Sequence, residues 1–420
     1  MNEITENILK VCKDAKKASN DLAILDAKIK DNVLLEVAKL LKKNSEKIIK
    51  ANQKDVKSAK ERKLELSKID RLIIDEKRLS GIINAVKEIA KMPDPVGRIL
   101  FENKMVENNL HIKRIATPIG VFLAIYESRP NVTIDIASLA FKSGNAVILR
   151  SGSDSINSSK ILAEIFRQAL EKFSIDKNAV VLIKNVEREY VTQLLKMDKY
   201  IDVVIPRGGK GLIKAIRDNT KIPVFSHLDG NCHVYIHEKA DFEKARKILF
   251  NAKLRRTGIC GAAESLLIDK KVAKEILPLI VEDLIKADCE IRGDKNSLAI
   301  DSRIKEASED DFYKEFLDKI ISVRIVKDID EAIEKINNYS SSHTETIVTE
   351  DKKAVEKFFA RINSSIVMHN VSTQFADGGE FGFGGEVGIA TGKMHARGPI
   401  GLEQLTTFKY VVDSDFAIRS

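Results

Sequence analysis

The stretch GVFLAIYESRPNVTIDIASLAFKSGNAVILRS, residues 120–151, decides the fold class. It opens with a continuous apolar run, continues as a helix candidate that ends at Gly144, and closes with a second apolar run, AVILR. Such runs are typical of strands buried on both faces, and glycine commonly follows the last turn of a helix. The stretch therefore predicts two parallel strands joined by a helix.

The same alternation continues on both sides of this stretch. The strand candidates AVVLI and DVVIP are separated by helix candidates that begin after SGSDSINSS, near Glu187 and after RGGKG. Repeated units of this kind predict a parallel sheet with helices on both faces. Residues 1–90 read as amphipathic helices, and a second lobe is expected from Asn231, with strands CHVYI, ESLLI and VRIV.

The composition excludes several classes of protein. With 420 residues, 44% hydrophobic and 31% charged, the chain is typical of a globular protein of two or three lobes. Its apolar runs fall far short of the roughly 18 residues that a membrane span needs. The amphipathic N-terminus predicts a surface helix and a cytoplasmic protein without a membrane partner. The net charge of +8 lies on helix faces mixed with acids, so no nucleic-acid partner is expected.

Cys260 is the first candidate for chemistry. The four cysteines (Cys12, Cys232, Cys260 and Cys289) are scattered, so neither disulfides nor structural zinc are expected. Cys260 lies in RRTGICGAAESLLID, where Arg255 and Arg256 could supply positive charge to a thiolate. The small residues around it would let a substrate approach, and turn amides could form an oxyanion hole. From these residues alone, Cys260 is either a buried apolar side chain that packs in the core or a nucleophile.

PRGGKG, residues 206–211, is a candidate phosphate-binding turn. It follows a strand and opens a helix, a setting in which backbone amides bind phosphate. Pro206, Arg207, Gly208 and Gly209 are therefore candidate cofactor residues. The turn does not match G-x-G-x-x-G, so an ordinary turn is the alternative.

Further candidates stand at predicted strand ends. Arg150 ends the strand AVILR and precedes Ser151 and Gly152, where the adenosine ribose of a dinucleotide would lie. A guanidinium there suits a 2′-phosphate, and the alternative is an ordinary strand-end arginine. Arg129 and Asn131 follow another strand at the edge where α/β sheets bind ligands.

Two further features have different readings. The glycine-rich segment 378–399 predicts a loop whose backbone closely approaches another group. The histidines show no metal-ligand spacing, so no metal site is predicted; the ones considered are His227, His233, His343, His369 and His395.

Six segments together resemble the γ-glutamyl phosphate reductase family of the aldehyde dehydrogenase superfamily. They occur in order within a match that spans roughly residues 7–409. The segments are YESRPNVTIDIASLAFKSGNAVILRSG, VIPRGGKGLI, PVFSHLDGNCHVYI, NAKLRRTGICGAAESLLI, HTETIVTED and DGGEFGFGGEVGIATGKMHARGPIGLEQLTT.

The resemblance implies an aldehyde-dehydrogenase-like α/β fold. A Rossmann-like NADPH-binding domain is expected at residues 1–97, 118–230 and 366–394, and an α/β catalytic domain at residues 231–365. A small β oligomerisation arm is expected at residues 98–117 and 395–420, with a homo-oligomer as its consequence.

The resemblance also implies an activity, the second step of proline synthesis from glutamate. NADPH would reduce L-glutamyl 5-phosphate to L-glutamate 5-semialdehyde through a thioester on Cys260, with Arg129 or Arg256 aiding departure of phosphate. The oxyanion group matches Arg129 by an ungapped count and Asn131 with a two-residue gap. Glu315 resembles the glutamate that holds the nicotinamide ribose. Glutamate 5-kinase, which makes the substrate, is the candidate partner.

One departure from the superfamily is informative. Hydrolytic members have a glutamate where HLDG places His227, and losing that base fits an enzyme that spares its thioester from water. Arg255, Arg256 and His227 are candidates for binding the substrate's phosphate or carboxylate. A CoA-acylating aldehyde dehydrogenase is the rival enzyme, since it also lacks this glutamate. A non-catalytic nucleotide-binding or nucleic-acid-binding module is the rival class, and it leaves Cys260 without a role.

Overall fold

The computed structural model describes residues 3–105 and 109–419. The chain divides into two compact units. Unit 1 comprises Met1–Ser226, Gly382–Gly388 and Ile400–Ser420, and unit 2 comprises His227–Phe381 and Ile389–Pro399. Among the helices of the described residues, none combines the length and apolar character that crossing a membrane requires.

Fourteen α-helices occur in the described residues. In chain order they are α1 (Glu3–Leu22), α2 (Ala27–Lys43), α3 (Ser45–Glu61), α4 (Leu66–Leu72), α5 (Glu76–Lys91), α6 (Val132–Lys142), α7 (Ile156–Lys172), α8 (Arg188–Leu194), α9 (Lys210–Asn219), α10 (Phe242–Leu254), α11 (Lys270–Lys286), α12 (Lys295–Ile300), α13 (Ile329–Tyr339) and α14 (Lys352–Arg361). Short 3-10 helices lie at Lys177–Ala179, Glu309–Tyr313, Thr373–Phe375 and Glu403–Leu405.

The same residues contain sixteen strands. They are β1 (Ile99–Met105), β2 (Leu110–Pro118), β3 (Val121–Tyr126), β4 (Ala146–Ser151), β5 (Val180–Leu182), β6 (Val203–Arg207), β7 (Cys232–Ile236), β8 (Ala263–Asp269), β9 (Glu290–Gly293), β10 (Lys305–Glu306), β11 (Ile320–Val326), β12 (Thr344–Val348), β13 (Ile366–His369), β14 (Ile389–Ala390), β15 (Gly398–Pro399) and β16 (Thr406–Asp413).

Unit 1 contains the strand–helix–strand element predicted from residues 120–151. Its four-stranded parallel sheet has the order β5-β4-β3-β6. Every residue of β3 and β4 is buried, as expected for strands covered on both faces. Gly144 follows α6 with a φ of +76°, and a Cβ there would lie 2.7 Å from Pro118 Cγ. Both the backbone conformation and the close approach require glycine at this position.

The register of this sheet brings three loops to one edge. Tyr126, at the end of β3, is paired with Ser151 of β4 and with Arg207 of β6. The chain segments that follow these three strands therefore leave the sheet side by side at its carboxyl edge. This edge holds most of the candidate cofactor residues.

The arm predicted at residues 98–117 and 395–420 is a three-stranded antiparallel sheet in unit 1. Its order is β1-β2-β16, so the expected pairing of the hairpin with the C-terminal strand is confirmed. Residues 106–108 of the predicted arm lie outside the described residues. Most of β16 is exposed, and its role in oligomerisation stays a prediction.

Unit 2 is built on a seven-stranded parallel sheet of order β10-β9-β11-β8-β7-β12-β13. The expected strands CHVYI, ESLLI and VRIV are β7, β8 and β11 of this sheet. One predicted boundary is corrected, because β13 hydrogen-bonds to β12 and so extends this sheet. Residues 366–381 and 389–399 therefore fall in unit 2, whereas residues 366–394 were expected in the cofactor domain and 395–399 in the arm.

A buried carboxylate holds the start of α7 against α3. Ser155, at the N-cap, makes no side-chain capping bond. Asp55 of α3 accepts hydrogen bonds instead, from Ser158 N at 2.8 Å and from Ser158 Oγ at 2.6 Å. Its other oxygen accepts from Asn157 N and from Asn157 Nδ2. An acid from a neighbouring helix thus satisfies amides that the helix terminus leaves unpaired.

We predict that Asp55→Ala destabilises unit 1 by about 1–3 kcal/mol, because it leaves buried amide donors without an acceptor. Thermal unfolding followed by circular dichroism measures the effect. Asp218→Ala, which removes an exposed carboxylate from α9, is the control and should leave the transition within experimental error. An unchanged transition in Asp55→Ala would contradict the assigned capping role.

Candidate active site

Cys260 differs from the other three cysteines in its surroundings. It lies in the turn between α10 and β8 and is half-buried, whereas Cys12, Cys232 and Cys289 are buried. Burial raises the pKa of Cys12 to about 12 and that of Cys289 to about 11, and it holds the pKa of Cys232 well above its usual value. Cys260 is therefore the cysteine that a substrate can reach, which favours the nucleophile over the packed hydrophobe.

The backbone of the Cys260 turn packs directly against Gly230. A Cβ placed on Gly230 would lie 2.1 Å from the carbonyl oxygen of Cys260 and 2.6 Å from its Cα. Gly261 is similarly close to another segment, since a Cβ there would lie 3.2 Å from the carbonyl oxygen of Thr373. That the small residues here make room for a substrate stays a prediction; Gly261 also lies close to the protein's own backbone.

Two hydrogen bonds connect Cys260 and Gly230 to neighbouring side chains. The thiol of Cys232 donates to the carbonyl oxygen of Cys260 at 3.1 Å. The amide of Gly230 donates to Glu315 Oε1 at 2.9 Å. Glu315, expected to hold a nicotinamide ribose, is here a hydrogen-bond acceptor for Gly230, the glycine that packs against Cys260. Its role at the cofactor stays a prediction.

Gln374 anchors the segment that leads to Cys260. It is buried, and its amide donates to the carbonyl oxygens of Ala252 at 2.8 Å and Arg256 at 3.3 Å. Its side-chain oxygen accepts from Arg255 Nη1 at 3.3 Å. No sequence signal identified Gln374, because it lies more than a hundred residues beyond the turn in the 3-10 helix Thr373–Phe375.

Arg255 and Arg256 are both exposed. Arg255 lines a surface cleft of about 620 Å³ together with residues that include the acids Glu243 and Asp283. Its described contacts support the chain rather than an anion. A role for either arginine at the substrate's phosphate stays a prediction.

Two histidines lie beside the Cys260 thiol. The Sγ of Cys260 and one ring nitrogen each from His227 and His343 all lie within 4.8 Å of one another. The two rings meet edge to face, with centroids 5.0 Å apart. His227 donates from Nδ1 to the carbonyl oxygen of Ile389 at 2.7 Å, since a carbonyl can only accept. The fold thus brings together residues that no local spacing connects.

A buried ion pair joins α10 and β8, the two elements on either side of the Cys260 turn. Lys253 of α10 donates to Glu264, and both side chains are fully buried. Burial raises the pKa of Glu264 to about 7, against the lowering effect of Lys253. Glu264 also accepts from the amide of Leu317 at 3.2 Å, two residues beyond Glu315. This pair ties α10, β8 and the Glu315 segment together around the Cys260 turn.

Arg150 and Ser151, at the carboxyl edge of the unit 1 sheet, have unsatisfied polar atoms. Arg150 Nη2 donates to the carbonyl oxygen of Val186 at 2.6 Å. The Nε of Arg150 and the Oγ of Ser151 are buried without a hydrogen-bond partner among the described residues. Burial lowers the pKa of Arg150, although Glu127 and Asp154 raise it. Buried donors without partners normally have a reason, and a polar ligand at this edge would supply one.

The other candidate cofactor residues at this edge lie in close contact with the surrounding loops. Ser128, in the left-handed region with a φ of +51°, donates to Asp154, and a Cβ on Gly152 would lie 2.5 Å from Asp154 Oδ1. Gly209 is the N-cap of α9, so the N-terminus of that helix lies at this edge of the sheet, a setting in which anions bind. A Cβ on Gly388 would lie 2.8 Å from Arg207 Nη1, so that arginine is held against the glycine-rich loop.

Arg129 and Asn131 occupy different environments. Asn131 begins α6, and its Nδ2 donates to Asp135 Oδ2 at 2.8 Å. Burial raises the pKa of Asp135 to about 6, against the lowering effects of Asn131 and Arg207. The Asn131 amide is thereby engaged within unit 1. Arg129 is half-buried in the loop that precedes α6.

Comparisons with known proteins agree over the whole chain. A sequence profile of the aldehyde dehydrogenase family matches residues 2–297 and 305–411. The gamma-glutamyl phosphate reductase of Erythrobacter litoralis is 49% identical over 398 residues, covering 95% of this chain and 94% of that protein. The gamma-glutamyl phosphate reductase of Brucella anthropi is 48% identical over 419 residues, covering 100% of this chain and 98% of that protein.

Solved structures show the same relationship. The crystal structure of gamma-glutamyl phosphate reductase from Thermotoga maritima superposes with a TM-score of 0.96 at 42% identity, covering 98% of this chain and 100% of that chain. An acetylating aldehyde dehydrogenase from Geobacillus thermoglucosidasius has a TM-score of 0.69 at 19% identity, covering 100% of this chain and 98% of that chain. At that identity the second comparison shows a shared fold.

We predict that Gly230→Ala displaces the Cys260 turn, because the added methyl group would overlap the backbone of Cys260. Overpacking of this kind lowers the free energy of unfolding by about 1–3 kcal/mol. The rate of Cys260 alkylation by iodoacetamide, measured by peptide mass spectrometry, should change with it. Gly81→Ala in α5, where a Cβ meets no atom within 4 Å, is the matched control. Equal alkylation rates and equal stability in the two variants would refute the packing argument.

Proposed function

The chain belongs to the aldehyde dehydrogenase family, and we propose that it reduces L-glutamyl 5-phosphate to L-glutamate 5-semialdehyde with NADPH, the second step of proline synthesis from glutamate. Membership of this oxidoreductase family and the expected aldehyde-dehydrogenase-like α/β fold are both confirmed. The substrate and the direction are proposed from relatives named gamma-glutamyl phosphate reductase, which match nearly the whole chain. The observation that carries the proposal is the half-buried thiol of Cys260 in a braced turn.

Cys260 is proposed to perform covalent catalysis. Its Sγ forms a bond to the acyl carbon while the bond from that carbon to the phosphate oxygen breaks, and inorganic phosphate departs. The imidazole of His343, with a ring nitrogen within 4.8 Å of Cys260 Sγ, is the proposed acceptor of the thiol proton. Because the Gly230 contact and the Cys232 hydrogen bond fix the turn, the sulfur meets the acyl carbon with little loss of orientational freedom.

The thioester has to be protected from water until it is reduced. Hydrolytic superfamily members have a glutamate where this chain has His227, whose Nδ1 donates to Ile389. A carboxylate base for a water molecule is therefore missing from that sequence position. When the C–S bond finally breaks, the aldehyde leaves and the sulfur regains its proton. The same absence fits a CoA-acylating enzyme, so the choice of acyl donor distinguishes the two activities.

Unit 1 has groups suited to a dinucleotide. The buried Nε of Arg150 and Oγ of Ser151 lack partners among the described residues, and α9 begins at Gly209 without a side-chain cap. We propose that Arg150 and Ser151 bind the adenosine ribose with its 2′-phosphate and that residues 206–209 bind the pyrophosphate. When bound, NADPH supplies the hydride that reduces the acyl group. Glu315 is proposed to hold the nicotinamide ribose.

The remaining proposed roles concern the substrate and the assembly. Arg129 or Asn131 is proposed to support the oxyanion; the amide of Asn131 also donates to Asp135 Oδ2. Arg256, Arg255 and His227 are the candidates for the substrate's phosphate and carboxylate. The arm of β1, β2 and β16 mediates a homo-oligomer, and glutamate 5-kinase supplies the unstable substrate.

We predict that Cys260→Ser abolishes the phosphate-dependent oxidation of glutamate 5-semialdehyde, the assayable reverse reaction, because serine cannot replace the thiolate. The loss should exceed about 1,000-fold in kcat, followed as NADPH formation. Cys289→Ser, which changes a buried cysteine of the same unit, is the control and should remain active. Replacing phosphate with CoA in the assay tests the rival, which requires activity with CoA. Full activity of Cys260→Ser would refute the proposed nucleophile.

We predict that Arg150→Ala raises the KM for NADPH roughly 10- to 150-fold, which corresponds to the about 1.5–3 kcal/mol of a hydrogen bond to a charged group. The KM for NADH should change much less, because NADH lacks the 2′-phosphate. Steady-state kinetics with both cofactors measure the ratio. Arg167→Ala is the control, since Arg167 also donates to backbone carbonyls in unit 1. An equal change for both cofactors would remove Arg150 from 2′-phosphate recognition.

A further inference from the structure

The thiol of Cys260 forms a cluster with two imidazoles, those of His227 and His343. Cys260 Sγ and one ring nitrogen from each of His227 and His343 lie within 4.8 Å of one another. Thiolate and imidazole are the ligands that Zn²⁺ and related soft divalent ions prefer. We propose that these three residues form a binding site for a thiophilic divalent transition-metal ion such as Zn²⁺, and that the ion inhibits the enzyme by capturing Cys260.

His343 supplies an independent indication of a ligand. It is fully buried, and its Nε2 has no hydrogen-bond partner among the described residues. Its Nδ1 contacts Thr344 Oγ1 at 2.9 Å and Cys232 Sγ at 3.5 Å. Burying an N–H without an acceptor is costly, so the tautomer with Nδ1–H and a lone pair on Nε2 is favoured. A bound cation would satisfy that buried lone pair.

His227 is oriented as metal-binding histidines are. Its Nδ1 donates to the carbonyl oxygen of Ile389 at 2.7 Å, so Nε2 carries the lone pair of the neutral ring. Histidine ligands almost always donate their second ring nitrogen to a carbonyl or carboxylate, which fixes the tautomer and raises the basicity of the other nitrogen. The Ile389 carbonyl is in position to perform this function here.

The geometry needs a small contraction to bind the ion. With Zn–S near 2.3 Å and Zn–N near 2.0–2.1 Å, tetrahedral ligand atoms lie about 3.3–3.7 Å apart. The ligand atoms now lie within 4.8 Å of one another, so the half-buried Cys260 and His227 side chains have to move closer together when an ion binds. Coordination forms one sulfur–metal and two nitrogen–metal bonds, and the thiol proton passes to solvent. A water molecule completes the fourth position.

Binding and inhibition depend on different premises. Inhibition rests on the proposed function, because it requires Cys260 to be the nucleophile. Metal binding requires only the three side chains. A spectroscopic measurement therefore distinguishes failure of this inference from failure of the proposed function.

The test is a titration of the purified full-length protein with Co²⁺ in the presence of a non-thiol reductant. We expect a thiolate-to-cobalt charge-transfer band in the near ultraviolet and intense visible d–d bands of a tetrahedral site, saturating at one ion per chain. Zn²⁺ should abolish these bands by displacing Co²⁺. It should also protect Cys260 from alkylation by iodoacetamide, as measured by peptide mass spectrometry.

Substitutions assign the ligands. Cys260→Ser should remove the charge-transfer band. His343→Asn and His227→Asn should each weaken Co²⁺ binding by more than about 10-fold, because even the loss of a group that only hydrogen-bonds to a metal ligand lowers metal affinity by about 10-fold or more. His369→Asn is the matched control, because His369 lies in the same unit and donates from Nε2 to the Thr349 carbonyl, outside the cluster. Its binding should equal that of the parent.

Either of two results would overturn the site. One is a parent protein in which Zn²⁺ leaves the alkylation rate of Cys260 unchanged, a measurement that needs no variant to fold. The other is a charge-transfer band that persists in Cys260→Ser, or binding in His343→Asn as tight as in His369→Asn. If Co²⁺ binds as expected but the protein is inactive on glutamyl phosphate, the metal site stands and the proposed function falls.

Discussion

The contact between the backbones of Gly230 and Cys260 is the constraint on which the candidate site depends. No side chain fits between them, since a Cβ on Gly230 would lie 2.1 Å from the Cys260 carbonyl oxygen. That same oxygen accepts from the Cys232 thiol, and the Gly230 amide donates to Glu315. The Cys260 turn is therefore held by backbone packing against Gly230 and by the hydrogen bond from Cys232. Preorganisation of this kind would lower the entropic cost of placing the proposed nucleophile, Cys260, against a substrate.

Cys232 and Cys260 are neighbours that differ in burial. Cys232 is enclosed, its pKa is held well above the usual value, and it serves as a neutral hydrogen-bond donor. Cys260 is half-buried beside two imidazoles. The same small cluster that suits a covalent nucleophile also suits a soft metal ion, because both require a thiol that can become a thiolate. The proposed nucleophile and the proposed metal ligand are therefore the same thiol.

The strands and helix ends that depend on local patterns could be predicted from the sequence. Continuous apolar runs such as β3 and β4 and the glycine after α6 are enough to place strands and helix ends. The assignment of residues 366–394 was wrong for β13, because a short strand reveals nothing in sequence about which sheet it joins. The close approach of Gly261 to Thr373 was also not predicted, since the two residues are distant in the chain.

Site residues were predictable when a motif surrounded them. Cys260 was identified from its turn and from the resemblance, but Gln374 and His343 act through long-range contacts that spacing does not show. The central claim is that Cys260 forms a thioester with the acyl group of glutamyl phosphate. The most direct measurement is peptide mass spectrometry of the enzyme after incubation with glutamate kinase, ATP and glutamate, without NADPH. The account predicts a hydroxylamine-labile glutamyl adduct on Cys260, and an adduct on another residue, or none, would contradict it.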